Sequence, residues 1–471
     1  MSAPIANGET ELQIGGTPAD LFGHPKGLTV LFATEMWERF SYFGMASLLV
    51  LYLVKYLLLP GQAEHVLGYG VVKAALEGLF GPLPPQPLAS QIVGLYTGLA
   101  YFTPILGGYL ADRVLGQRYT AVLGAVLMAA GHFLMAFEAM LFVALALLIL
   151  GIGAFKPNVS TQVGSLYAKG DARRLRAYSI YYVGINIGAF LAPLVCGTLG
   201  AEAGWHSGFA AAGVGMLIAT AIYLAGMRHL PPDELHRAKA APVAAAAKAA
   251  ARPFEARERR AIAGLLGIFA LVTLFWATYD QQGNTLLLWT EDFTERRIDL
   301  GFWHGEIPTT WFLALNPLMI FLFTPVLVHL WAAQARLGTE MSTVAKMAFG
   351  FLCVALGNLV MVAAAWNLGP AAKASPLWLT GYFAVVTIGE LHLAPVGLAL
   401  VSRLAPARVL SLMMGLWFAA TFPGDVLGGW LGGFWSSMEK AHFFMMIGTI
   451  AAIGGAAVFA LGPALRSVFD E

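Results

Sequence analysis

The chain has 471 residues, of which 58% are hydrophobic and 12% charged, with a formal net charge of +1. Soluble domains carry about 25% charged residues, so a water-soluble fold is excluded, and near-neutrality gives no basis for a nucleic-acid partner. The two cysteines, Cys196 and Cys353, sit in separate apolar segments, which excludes a disulfide framework and a cysteine metal site.

Windows of about 20 apolar residues predict membrane-crossing helices near 28–55, 90–111, 118–137, 139–165, 176–200, 207–228, 261–288, 307–332, 341–366, 375–402, 408–433 and 440–464. The alternating ten-residue segments of an outer-membrane barrel are missing, so the fold class is an all-α membrane protein. Residues 1–25 are polar and lack the basic and apolar regions of a cleavable leader, so the first helix is expected to remain as an anchor.

The first span holds Glu35, Glu38, Arg39 and Tyr42, whose i, i+3, i+4, i+7 spacing puts them on one helix face. A charge at the centre of a membrane helix costs roughly 2.5–3.5 kcal/mol, so this face requires partners or a wet cavity and marks an ion or substrate path. Arg39 can reach back one turn to Glu35, which leaves Glu38 as the acid expected to change protonation. In the fourth span Lys156 precedes Pro157 and Asn158, and the proline removes a backbone hydrogen bond beside the ammonium.

Between the sixth and seventh spans, residues 229–260 are Ala- and Arg-rich and too polar to cross; their composition favours a semi-rigid surface helix. They divide the chain into a polar N-terminus (1–25), a six-helix bundle (26–228), the linker (229–260), a second six-helix bundle (261–465) and a short C-terminus (466–471). Lys and Arg crowd the loops on the N-terminal side, and only Lys55, Lys73, Arg296, Arg297, Lys373 and Lys440 lie on the opposite side. Both termini are therefore expected in the cytoplasm, with the chain in the inner membrane.

In the second half, Asp280 and Gln281 follow Trp276 in span seven, and Glu390 lies mid-span in Thr-Ile-Gly-Glu-Leu-His-Leu-Ala-Pro. With Glu38, Arg39 and Lys156 lining the first bundle and Asp280 and Glu390 the second, a zwitterion can bridge the two, its carboxylate toward the cations and its amine toward Glu390. Asn186, Asn316, Tyr42, Tyr101, Trp276 and Trp417 are candidates to shape that cavity, with aromatic packing as the competing reading. His132 and His392 are read as packed, and Lys346, one turn inside its span, as snorkelling.

The segment Glu35-Met-Trp-Glu38-Arg39-Phe40-Ser-Tyr42-Phe43-Gly44 resembles the Glu-x-x-Glu-Arg-Phe-x-Tyr-Tyr-Gly signature of the proton-coupled oligopeptide transporters of the major facilitator superfamily. Supporting stretches are Gly107-Gly-Tyr-Leu-Ala-Asp112-Arg113, Lys156-Pro-Asn-Val-Ser, Gly184-Ile-Asn186-Ile-Gly, Phe275-Trp276 through Gln281, Asn316-Pro317, Gly389-Glu390-Leu and Met414-Gly-Leu-Trp417. The resemblance implies alternating access between two pseudo-symmetric bundles and symport of di- and tripeptides with protons, with no cofactor and a monomer sufficient. It implies proton coupling at Glu35, Glu38 and Arg39, the peptide carboxylate near Arg39 and Lys156, and its amine at Glu390. Asn186, Asn316, Tyr42, Tyr101 and Trp417 would touch the peptide backbone or side-chain pockets.

The chain departs from the family pattern at three positions. Ala46 stands where an arginine is usual, Asp280 where a glutamate is usual, and Phe43 replaces the signature's second tyrosine. In relatives the first two can pair as an outer gate, so Asp280 is expected to lack a cationic partner and to act as a proton site itself. The 229–260 linker is too short and polar for the extra helix pair of many bacterial members. A membrane hydrolase is disfavoured because no His-Glu-x-x-His, Gly-x-Ser-x-Gly or Gly-x-Gly-Asp pattern occurs. A same-fold carrier of nitrate or another small anion remains the alternative, against which Glu390 opposite Lys156 argues.

Overall fold

The computed structural model of the chain describes residues 23–168, 171, 173–233, 254–299, 304–366, 368–369, 372–406 and 409–469. Most of the polar N-terminus and linker residues 234–253, on which composition predicts a surface helix, lie outside the described residues. Among the described residues the fold is helical apart from one short hairpin, Arg297–Asp299 paired antiparallel with His304–Glu306.

The first half comprises α1 (Lys26–Tyr52), α2 (Tyr69–Phe80), α3 (Pro85–Phe102), α4 (Pro104–Leu110), α5 (Gln117–Leu134), α6 (Leu141–Ser165), α7 (Arg173–Glu202) and α8 (Trp205–Gly226). The second comprises α9 (Ala256–Tyr279), α10 (Thr285–Phe293), α11 (Leu315–Arg336), α12 (Thr343–Ala365), α13 (Leu377–Leu404), α14 (Leu410–Ala419), α15 (Thr421–Gly432) and α16 (Lys440–Phe469). Nine helical segments among the described residues are long and apolar enough to cross a membrane. The other three expected crossings fall on α3–α4, α5 and α14–α15.

Local chemistry explains the breaks. Pro104 cannot donate to the turn before it, so one crossing stops at Thr103 and restarts as α4. Asp280–Gly283 forms a 3-10 turn between α9 and α10, which interrupts the seventh crossing at its acid. Helix α2 falls in a connection to which the hydropathy pattern assigns no element; it is 12 residues long, too short to span, and is bounded by Gly68 and Gly81 at φ 83° and 79°.

Small residues set how closely the helices approach. On α7, Gly184 and Gly188 face α1, and a Cβ on Gly188 would overlap the Met36 carbonyl and lie 2.9 Å from Arg39 Cβ. Pro157 leaves the Gly153 carbonyl without its helical donor, and α4 sits directly on it, because a Cβ on Gly107 would overlap that oxygen. Asn158 Nδ2 donates to the Ala154 carbonyl at 2.7 Å, so α6 stays helical through the proline and carries Lys156 on a continuous turn.

The two halves meet along α3 and α15 and where α7 meets the 3-10 turn Thr309–Ala314 and α11. Glycines line the first seam: a Cβ on Gly94 would overlap the Asp425 carbonyl, and one on Gly429 would lie 2.7 Å from the Ser90 carbonyl. Side-chain bonds across the halves gather toward the C-terminal end of α1. Ser90 Oγ donates to Asn284 Oδ1 at 2.8 Å, Gln86 Nε2 to the Gly432 carbonyl at 3.0 Å, and Thr310 Oγ1 to the Pro193 carbonyl at 2.9 Å. Outermost, Lys55 Nζ meets Asp292 Oδ1 at 2.5 Å. This seals the end of the molecule for which loop charge predicts an extracytoplasmic position.

Candidate functional site

The site begins on α1, which α7 and α8 clasp at backbone distance. Glu35, Glu38 and Arg39 are only 1%, 0% and 4% exposed. Arg39 Nε lies 3.1 Å from Glu35 Oε1 and 2.5 Å from Glu38 Oε2, and an Arg39 terminal nitrogen donates to Glu38 Oε1 at 2.8 Å. This corrects the expectation of a Glu35–Arg39 pair with Glu38 left over: one guanidinium fork serves both acids, because burial leaves it no other anion to contact. The Tyr181 hydroxyl of α7 lies 3.3 Å from Ser160 Oγ. Removing Arg39 would leave two buried carboxylates uncompensated, a loss on the order of 3–5 kcal/mol.

Arg39 also lies over the ring of Tyr42, 5.3 Å from its centroid, and Tyr42 stacks on Tyr96 at 6.5 Å. Lys156 projects from α6 over Tyr101 of α3, its Nζ 4.2 Å from the ring centroid. Among the described residues it has no salt-bridge partner within 4 Å; Glu38, Glu35 and Asp425 act on it through space. A cation–π contact and a free ammonium suit a visiting carboxylate.

Across from these cations, Glu390 of α13 is held from two sides. The Tyr279 hydroxyl donates to its Oε2 at 2.6 Å and Asn316 Nδ2 at 2.9 Å, and Asn316 also reaches Thr387 Oγ1 at 3.0 Å. The fourth member of that knot, Tyr279, escaped the sequence reading. Trp276 packs edge-on against Tyr279 with centroids 5.5 Å apart. Trp417 is buried against α13, since a Cβ on Gly397 would overlap its ring, and touches Phe269 edge-on. Asn186 Nδ2 donates to the Tyr182 carbonyl one turn back at 2.9 Å. The structure thus gathers Arg39, Tyr42, Tyr101 and Lys156 on one side and Asn316, Trp276 and Glu390 on the other. Trp417 is set into helix packing and Asn186 into its own helix turn.

Asp280, at the broken seventh crossing, has no salt-bridge partner among the described residues, and the 3-10 turn that carries it contacts α15, the helix that holds Asp425. Asp425 is 3% exposed. The hydropathy reading passed over Asp425, although an acid inside an apolar span is the same signal that singled out Asp280. His392 is packed, lying between Trp331 and Phe349, and Lys346 meets Glu340 at 2.6 Å.

A family model described as the POT family matches residues 118–250 and 232–450. The chain is 33% identical to a di-/tripeptide transporter of Lactococcus lactis subsp. cremoris over 93% of its own length and 95% of that protein's. It is 34% identical to a peptide transporter of Yersinia enterocolitica subsp. palearctica over 88% of each chain. Its fold superposes with a TM-score of 0.80 on a crystal structure of a Glu-to-Gln variant of a peptide transporter with alafosfalin, at 31% identity, covering 96% of this chain and 97% of that one.

Proposed function

The chain belongs to the POT family of membrane transporters, and from that premise we propose that it is a proton-coupled symporter importing di- and tripeptides by alternating access. The observation that carries the substrate is the separation of charges: in the first half Lys156, with no salt-bridge partner among the described residues, lies over Tyr101, and in the second Tyr279 and Asn316 hold the Glu390 carboxylate. A peptide's carboxylate binds at Lys156 and Arg39 and its amine at Glu390, with Tyr42, Tyr101, Trp276 and Asn316 shaping the pocket. Two six-helix bundles, residues 26–228 and 261–465, rock about this site as a monomer in the inner membrane with both termini cytoplasmic.

Protons are the only coupling ion and no cofactor or covalent chemistry takes part. Glu35, Glu38, Arg39 and Asp280 carry the coupling: protonating an acid of the Arg39 cluster loosens the fork and frees the guanidinium for the peptide. A proton moving down about 100 mV supplies about 2.3 kcal/mol. An anion carrier would gain nothing from the ordered Glu390 carboxylate.

The test is uptake of labelled dialanine into proteoliposomes with and without an inward proton gradient, repeated with Glu390→Gln. Gradient-driven uptake that disappears in the variant is the expected result. Uptake that survives Glu390→Gln unchanged overturns the amine site, and a folded wild type that carries nitrate but no dipeptide overturns the cargo.

A further inference from the structure

Helix α2 carries its charges in the wrong place for a helix that meets water. The arc turned away from the protein holds Gly70, Val71, Ala74, Ala75, Gly78 and Leu79, all exposed and none polar. Val71 and Leu79 are 76% and 78% exposed, and Leu67, just ahead of the helix, is 59% exposed. The inner arc is apolar as well, with Leu76 buried and Tyr69, Val72 and Phe80 packed against the core. Its two charges, Lys73 and Glu77, are half-buried on the flank between the arcs, 4.0 Å apart. A surface helix in water shows the reverse, with its apolar stripe inward and its charges outward. The connection after the seventh crossing has that ordinary pattern: its hairpin exposes Arg297, Asp299, His304 and Glu306 and half-buries Ile298.

Both ends of α2 are tied to the ends of membrane crossings. Ahead of it, Leu67 N donates to the Ala139 carbonyl at 2.9 Å, in the turn between α5 and α6. Behind it, Glu77 Oε1 accepts from Leu83 N at 3.1 Å, two residues before α3 begins at Pro85. A helix of this length, roughly 18 Å, therefore runs along the membrane boundary rather than out from it. The exposed surface is continuous with the lipid-facing surface of the crossings, since Phe137, 62% exposed, belongs to the same turn as Ala139. A second copy of the chain is the competing occupant. A face about 18 Å long and about 10 Å wide offers roughly 200 Å², far short of the about 800 Å² per partner of a stable interface.

We propose that α2 is an in-plane lipid anchor, whose outer face lies about 5–10 Å into the boundary between headgroups and acyl chains, on the side of the bilayer where α1 ends. Its partner is the phospholipid bilayer itself. Apolar contact supplies the hold, and Lys73, paired with Glu77, sits at the headgroup level and confers no preference for anionic lipid. The anchor is independent of what the transporter carries.

Spin labels on Val71→Cys and Leu79→Cys, each in the full-length protein in lipid nanodiscs, read the anchor directly. Oxygen concentrates among acyl chains and a nickel chelate stays in water, so collision rates with the two place each label. Wild-type protein carried through the same labelling supplies the blank for the buried Cys196 and Cys353. The oxygen-to-nickel ratio should exceed one at Val71 and Leu79 and fall below one at Glu64→Cys, an exposed position ahead of the helix. Ratios at Val71 and Leu79 as low as at Glu64 would put the face in water and overturn the anchor. Spin–spin broadening at Val71 would overturn it in favour of a second copy. Nanodiscs of zwitterionic and of anionic lipid should give the same ratios, and insertion in anionic lipid alone would overturn the apolar basis of the hold.

Discussion

Gly188→Ala puts one methyl group where α7 touches α1. The added Cβ overlaps the Met36 carbonyl and sits 2.9 Å from both Arg39 Cβ and Phe40 N. Carbon contacts are comfortable at about 3.5–4.0 Å, so α7 must withdraw by roughly 0.6–1 Å, and no rotamer can absorb the clash because most of what it meets is backbone. Overpacking costs about 1–3 kcal/mol, and alanine regains about 1 kcal/mol of helix propensity, which leaves a net loss of about 1–2 kcal/mol at the stiff end of the range. Gly267→Ala is the control: its nearest neighbour is Leu461 Cδ1 at 3.6 Å, an ordinary contact, so the propensity gain should stand alone. Denaturant unfolding in mixed micelles reads both, and proteoliposome uptake reads whether the shift disturbs the Arg39 fork. Gly188→Ala as stable and as active as the wild type would refute this account of the α1–α7 contact.

Lys156→Gln should weaken binding of dialanine much more than binding of dialanine amide, since the amide has no carboxylate to lose; competition binding with both ligands checks it, and equal losses would move the carboxylate site elsewhere. Outside the membrane, Arg173 donates from its backbone nitrogen at 2.8 Å and from its side chain at 2.9 Å to Asp171, and these bonds hold the Asp171 carboxyl below its ordinary value. A depressed value means a stabilisation that is complete above the ordinary carboxylate range and lost as pH falls through the folded value. Thermal unfolding of Asp171→Asn in detergent should therefore fall below the wild type at neutral pH and converge with it on acidification.

The helices were legible because lipid imposes a length and a polarity on each crossing. The face holding Glu35, Glu38 and Arg39 was legible because helical spacing is local. What Arg39 would do was not: a side chain with two acids in reach chooses by burial and by the approach of α7, which spacing does not encode. The Glu390 knot is similar, since Tyr279, Asn316 and Thr387 come from three helices that only packing brings together. Asp280 was legible as an acid inside an apolar span, but the approach of α15 to its turn was not, because that helix comes from a distant part of the chain. Helix α2 was missed for a plainer reason: its 12 residues fall below the length at which hydropathy separates a helix from a connection.

The α3–α15 seam is built on Gly94 and Gly429 set against backbone, with Gly98 against Phe422 and Gly432 against Ser90 and Asn284. A closure made of long side chains freezes many rotamers each time it shuts and releases them each time it opens. This one, with glycine on both faces, has fewer to freeze. Its two arrangements consequently differ little in conformational entropy, and the balance between them is left to a handful of polar bonds such as Ser90–Asn284 and Gln86–Gly432. Such a seam parts with little thermal penalty, so its cycling rate should vary gently with temperature compared with that of an interlocked gate.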